Sequence, residues 1–169
     1  MLFENLGNSR FSDVGRPLRC DEIAESRGVA IADLNKDGKL DIVINNNAAS
    51  PTSYLNRIST NGNFFRCNLK GNPAVLQSGR GSSRDAVGAR VEVDILNHGE
   101  RESLVRLVEA GSGFASQSEA TLHFGLGDAV IIEEIRITWP SGRQQTISGP
   151  SSDLVNREVV IEEGRASSP

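Results

Sequence analysis

Asp33, Asn35, Asp37 and Asp41 crowd into the segment ADLNKDGKLDIVI, residues 32–44, with Gly38 among them and apolar runs on both sides. Three carboxylates and a carboxamide packed this closely repel one another and resist burial. A hard cation removes that cost: Ca2+ takes about 6–8 oxygen ligands from carboxylates, carboxamides and backbone carbonyls. Counting Asp33 as position one, Asn35 and Asp37 fall at three and five, and Gly38 allows the sharp turn at six. Lys39 offers its carbonyl at seven, and Asp41 stands at nine. This is the register of the first half of an EF-hand loop. The second half departs from it, because position twelve is Ile44 and the flanks read as strands rather than helices. The expectation is therefore a strand-loop-strand calcium site with Asp33, Asn35, Asp37, the Lys39 carbonyl and Asp41 as ligands, and water completing the shell. Mg2+ is less suited, since it demands near-octahedral geometry and keeps several waters. Asp, Asn and Gly also build plain hairpin turns, but four oxygen side chains in this register, with the glycine in place, favour the cation. Its expected role is to staple the loop.

Strands must hold that loop. GVAIAD (28–33) and LDIVI (40–44) are short Val- and Ile-rich runs bounded by Gly and Asn, and NNNAASPTS (45–53) reads as a polar connection. From about residue 64 the alternation is cleaner. Val91, Val93 and Ile95 share one side of ARVEVDIL; Leu122, Phe124 and Leu126 do so in TLHFGLG, and Ile135, Ile137 and Trp139 in EIRITWP. ESLVRLVE (102–109), RQQTIS (143–148) and REVVIEE (157–163) complete a set of half-buried strands separated by turn residues. In WPSG, Pro140 presets the second position of a type I turn and Gly142 suits the fourth. SSDLVNR (151–157) offers at most one capped helical turn. An echo links Phe3, Asn5, Asn8 and Phe11 to Tyr54, Asn56, Asn61 and Phe64, at the spacing of about 40–50 residues that propeller blades show. The fold class expected is all-β: one propeller-type repeat over residues 1–63, an antiparallel sandwich or small barrel over 64–163, and a disordered tail over 164–169. With a single complete motif, the expectation is a fragment from the end of a longer repeat protein.

Composition narrows the function. With 169 residues, 37% of them hydrophobic, and 17 glycines, the chain suits one or two small soluble domains. It has no apolar run of membrane-spanning length and no export signal of its own. The net charge of -4 is spread out, with Asp85, Glu92 and Asp94 among Arg80, Arg84 and Arg90, so nucleic acid is not an expected partner. Cys20 and Cys67, the two cysteines, lack zinc or redox spacing; whether they pair as a disulfide stays open.

Other groupings are weaker. GSGF (111–114) and GRGSSR (79–84) miss the spacing of phosphate-binding loops. Ser116, Ser118, His123 and Asp128 lack a nucleophile elbow, and His123 reads as a surface histidine on a strand; His98 reads as a turn residue. Trp139 with Arg143, and Phe114 with Gln117, offer a sugar or peptide platform, but the strand phase turns Trp139 towards the core.

GVAIADLNKDGKLDIVI with its leader LFENLGNSRFSDV resembles the FG-GAP/VCBS calcium-binding repeats of β-propellers. The run from RDAVGARVEV through AGSGFASQSEATLHFGLGDA to EIRITWPSGRQQTI resembles the ASPIC/UnbV domain, with GAR, GSG, SQS, HFGLG and WPSG in family order. The resemblance implies calcium binding and extracellular interaction, and it carries over no catalytic residues. The expectation is a non-enzymatic, secreted or surface interaction module whose partner is an extracellular protein or glycan. A carbohydrate-binding accessory domain and an assembly partner of a biosynthetic enzyme are the alternatives.

Overall fold

The computed structural model describes residues 2–21, 23–59, 62–73 and 81–165. Twelve strands run through them: β1 (Phe3–Asn5), β2 (Phe11–Asp13), β3 (Ser26–Ala32), β4 (Asp41–Asn46), β5 (Thr52–Tyr54), β6 (Asn63–Lys70), β7 (Arg90–Asn97), β8 (Glu100–Leu107), β9 (Leu122–Gly127), β10 (Ile132–Thr138), β11 (Gln144–Ser151) and β12 (Arg157–Glu162). They form a β1–β2 hairpin, a β3–β4–β5 meander, a sheet of order β11–β10–β7–β8 and a sheet of order β12–β6–β9. None of these sheets closes into a barrel.

The two later sheets share one core, which is why their strands alternate. Phe65, Cys67 and Leu69 of β6, Leu122, Phe124 and Leu126 of β9 and Ile161 of β12 are buried in the same cluster as Val91, Val93 and Ile95 of β7 and Ile132, Ile135 and Ile137 of β10. Register sets the rows: Phe65 stands opposite Phe124 and Cys67 opposite Leu122, and side chains directly opposite across two strands share a face. In β10 a register shift between Ile132 and Glu134 resets the phase, so that Ile132, Ile135 and Ile137 all point inward. The pair β6–β12 is parallel, whereas the sequence reads as an antiparallel stack. The residues between those strands build β7 to β11, long enough to return β12 alongside β6 in the same direction.

Other expectations are corrected. Residues 63–70 form a full strand, β6, and Thr52–Tyr54 is a third strand of the meander, although residues 45–53 read as a polar connection. Residues 152–156 are turns without a helix, Asn156 taking a positive φ. Cys20 and Cys67 are both free; Cys67 is deep in the core, and burial pushes its thiol up to about 12. The first echo segment is a hairpin of its own, while in the second Tyr54 pairs with β4 and Phe64 with β9; Asn61 lies outside the described residues. Of the tail, Gly164 and Arg165 are tied to Gln145, and 166–169 lie outside the described residues. The WPSG turn forms as expected, with the Gly142 amide donating to the Trp139 carbonyl at 2.8 Å.

Candidate metal centre at the β3–β4 loop

Strands β3 and β4 pair up to Ala32 and Asp41, so the acidic segment is the loop of this hairpin. Its backbone folds around the side chain of Asp33. Oδ1 accepts the amide of Asp37 at 3.1 Å, and Oδ2 accepts that of Gly38 at 2.9 Å. The Asp37 amide is shared with Asn35 Oδ1 at 3.2 Å, which draws an Asp33 oxygen and the Asn35 oxygen to one point. Asp37 Oδ1 accepts the Lys39 amide at 3.0 Å, and its Oδ2 accepts Asn35 Nδ2 at 3.0 Å. The Lys39 amide first, then the Asn35 amide and the Lys39 charge, hold the Asp37 carboxyl below its ordinary range. Lys36 and Gly38 take positive φ, 59° and 84°, and these let the chain wrap so tightly.

Asp41 stands at the base of the loop, fully buried. Its Oδ2 accepts the Leu34 amide at 2.9 Å and its Oδ1 the Asn56 amide at 2.8 Å, closing the loop and fastening it to the segment after β5. Asp33, Asn35 and Asp37 are thus gathered with the Gly38–Lys39 backbone, and Asp41 buttresses them. Among the described residues no three His, Cys, Asp or Glu side chains form a metal-holding group by themselves. The side-chain oxygens gathered in this loop come from two aspartates and an asparagine amide, beside the Asp41 buttress.

The loop rests on the outer face of the β12–β6–β9 sheet. Glu158, Arg66 and His123 stand side by side across its three strands. Arg66 is 3% exposed; its Nη1 lies 2.7 Å from Asp33 Oδ2 and 3.0 Å from Glu158 Oε2, and its Nη2 lies 2.6 Å from Glu119 Oε2. His123 Nε2 lies 2.7 Å from the Gly38 carbonyl. A carbonyl only accepts, so Nε2 carries the proton. The Phe64 ring stacks on His123, with centroids 6.0 Å apart, and leaves no room over Gly38, where an added Cβ would meet a Phe64 ring carbon at 2.1 Å.

A second contact holds the outer edge of β3. The amides of Val29, Ile31 and Asp33 donate to Ser116 Oγ, Ser118 Oγ and Glu119 Oε1 at 2.9, 3.2 and 3.1 Å, and the Glu119 amide returns to the Ile31 carbonyl. Side chains of the SQSE segment therefore cover an edge that would otherwise present unpaired backbone. Close approach requires Gly28, whose added Cβ would lie 2.2 Å from the Ala115 carbonyl oxygen.

The residues considered for a nucleophile relay are committed elsewhere. Ser116 and Ser118 cap β3, His123 holds Gly38, and Asp128 lies 3.6 Å from His98 at the surface. His123 is partly buried under the loop, which corrects its reading as a surface residue. Trp139 is 1% exposed and donates through Nε1 to Gln145, so it presents no open aromatic face. Sequence reasoning passed over Arg66 and Glu119. Arg66 carried one signal, a charge in the middle of the alternating run FFRCNL, but its partners lie 33 and 53 residues away.

A segment of 62 residues is 40% identical to Cartilage acidic protein 1 of Xenopus tropicalis; it amounts to 36% of this chain and 9% of that protein. The chain thus matches a small part of that relative's length. The family model for ASPIC and UnbV matches residues 79–168, which include β7 to β12 and the SQSE clasp. The chain belongs to the ASPIC and UnbV family.

Proposed function

We propose that this chain is a calcium-binding, non-enzymatic interaction module of the extracellular space. An FG-GAP/VCBS-type strand-loop-strand is seated on the ASPIC/UnbV sandwich, and Ca2+ rigidifies the loop. Asp33, Asn35, Asp37, the Lys39 carbonyl and Asp41 would hold the ion. The observation that carries the reading is the wrapping of the loop backbone around Asp33. Amides of Asp37 and Gly38 bind one carboxylate, the Asn35 oxygen is drawn beside it, and Gly38 sits in the left-handed region at position six. A hard cation fits that oxygen-only donor set. What the ion supplies is charge neutralisation and rigidity. The extracellular setting rests on the relative's name, which places that protein in cartilage; in that setting the affinity expected is that of extracellular calcium modules, about 10⁻⁴–10⁻³ M. The partner is expected to be an extracellular protein or glycan.

Thermal melts in EDTA, in CaCl2 and in matched MgCl2 test this. If Ca2+ binds only the folded chain, a tenfold excess over Kd adds about 1.4 kcal/mol, a rise of a few degrees in Tm for a chain of this size. The shift should be specific to Ca2+ and absent in Asp37→Ala. An equal response to both cations, or none, overturns the reading.

A further inference from the structure

We infer that Arg66, a residue of the sandwich, is the positioning group of the acidic loop, so that the loop's cation affinity is set by the sandwich sheet. This rests on the calcium reading above and deepens it. Asp33 is the one loop carboxylate that is both buried and bound to a guanidinium, Arg66 Nη1 taking its Oδ2 at 2.7 Å. The same oxygen accepts the Gly38 amide, while Oδ1 faces the Asn35 oxygen across the shared Asp37 amide. Arg66 thereby turns one Asp33 oxygen away and leaves the other on the side of the loop where the remaining oxygens gather. Arg66 is itself fixed: Glu119 takes Nη2, and Glu119 also receives the Asp33 amide through its other oxygen. Glu158, its neighbour across the sheet, closes the set. Three carboxylates share one buried cation, and Nε has no hydrogen-bond partner. Such a group is costly for the fold alone. His123 grips the same loop at the Gly38 carbonyl, so one rung of the sheet holds the loop at two points.

The test uses the full chain, its Arg66→Gln and Arg66→Lys variants, and CaCl2 as the probe. Calcium affinity is read by titration calorimetry. Hydrogen exchange of the 34–41 amides is followed in EDTA, and Trp139 fluorescence reports the sandwich core. The expected result for Arg66→Gln is affinity lower by about 10–100-fold, as for other residues that orient metal ligands. Loop exchange should be faster and the Trp139 emission unchanged, with partial recovery in Arg66→Lys, which keeps the charge but not the fork. Unchanged affinity and unchanged loop exchange in Arg66→Gln overturn the proposal. If the natural chain binds no Ca2+, the calcium reading fails by itself, and loop exchange in EDTA still decides whether Arg66 positions the loop. If Arg66→Gln loses the Trp139 signature, Glu119→Gln, which loosens Arg66 while leaving Asp33 its partner, decides by the same two readouts.

Discussion

Two aspartates of one loop differ in what they do, and substitution should separate them. Asp33 is buried against Arg66, so Asp33→Ala removes one of the three carboxylates on that guanidinium and the acceptor of the Asp37 and Gly38 amides, a loss of about 1–3 kcal/mol for buried donors left unmatched. Asp37 is exposed and bonds only within the loop, so Asp37→Ala should move stability in EDTA by no more than about 0.5 kcal/mol while removing the calcium response. Urea melts of both variants in EDTA check this; equal losses would mean that Arg66 does not depend on Asp33. Away from the loop, Asp94 is buried on the outer face of β7, bound by Arg136 at 2.7 Å and by Ser103 at 2.7 Å. The hydrogen bonds from Arg136 hold its carboxyl below the usual range, outweighing the opposing effect of burial. A carboxyl lowered in the folded state stabilises it above the unfolded value of about 3.9 and ceases to do so as pH falls through the folded value. Urea midpoints measured downward from pH 6 should therefore fall below about pH 4, and less steeply in Asp94→Asn. A slope unaltered by that substitution would exclude Asp94 as a source.

At the scale of elements, two glycines provide an internal comparison. Gly38 and Gly99 both have φ of 84°; the Cβ of an alanine would strike the Phe64 ring at Gly38 and meet nothing within 4 Å at Gly99. Gly99→Ala should cost about 1–2 kcal/mol for the left-handed backbone alone. Gly38→Ala should cost more and weaken calcium binding, because Phe64 must leave its stack on His123. Equal urea midpoints for the two variants would mean that Phe64 does not pack on the loop. The contrast also marks what was legible in the sequence. Strands β3, β4 and β7 to β12 follow from alternation and turn residues, and the tight loop between β3 and β4 follows from its Asp, Asn and Gly spacing, because both are local. What the loop sits on is not local: Arg66 meets Asp33 through the register of β6 with β9 and β12, and short sequence windows carry no information on that pairing. Ser116, Ser118 and Glu119 look like turn chemistry in sequence, and only the position of β3 makes them the cover of a strand edge.

For the whole molecule, the links between hairpin and sandwich decide whether it melts as one body. The acidic loop touches the sandwich through Arg66, Phe64 and His123, and β3 touches it through Ser116, Ser118 and Glu119. The lone tryptophan, Trp139, lies in the sandwich core at the end of β10, remote in sequence from every loop donor. A ligand that binds only the folded state raises the melting point of everything that unfolds together with its site. If loop and sandwich are one cooperative unit, Ca2+ should raise the Trp139 fluorescence midpoint and the far-ultraviolet circular dichroism midpoint by the same few degrees, and the two curves should coincide in EDTA and in CaCl2. With Glu119→Gln, which weakens both the hold on Arg66 and the cap on the Asp33 amide, the two midpoints should separate, and the calcium shift at Trp139 should shrink first. A Trp139 transition indifferent to Ca2+ in the natural chain, beside a calcium-sensitive dichroism transition, would instead make the hairpin an independent unit, and the ion pair at Arg66 a contact between neighbours that fold separately.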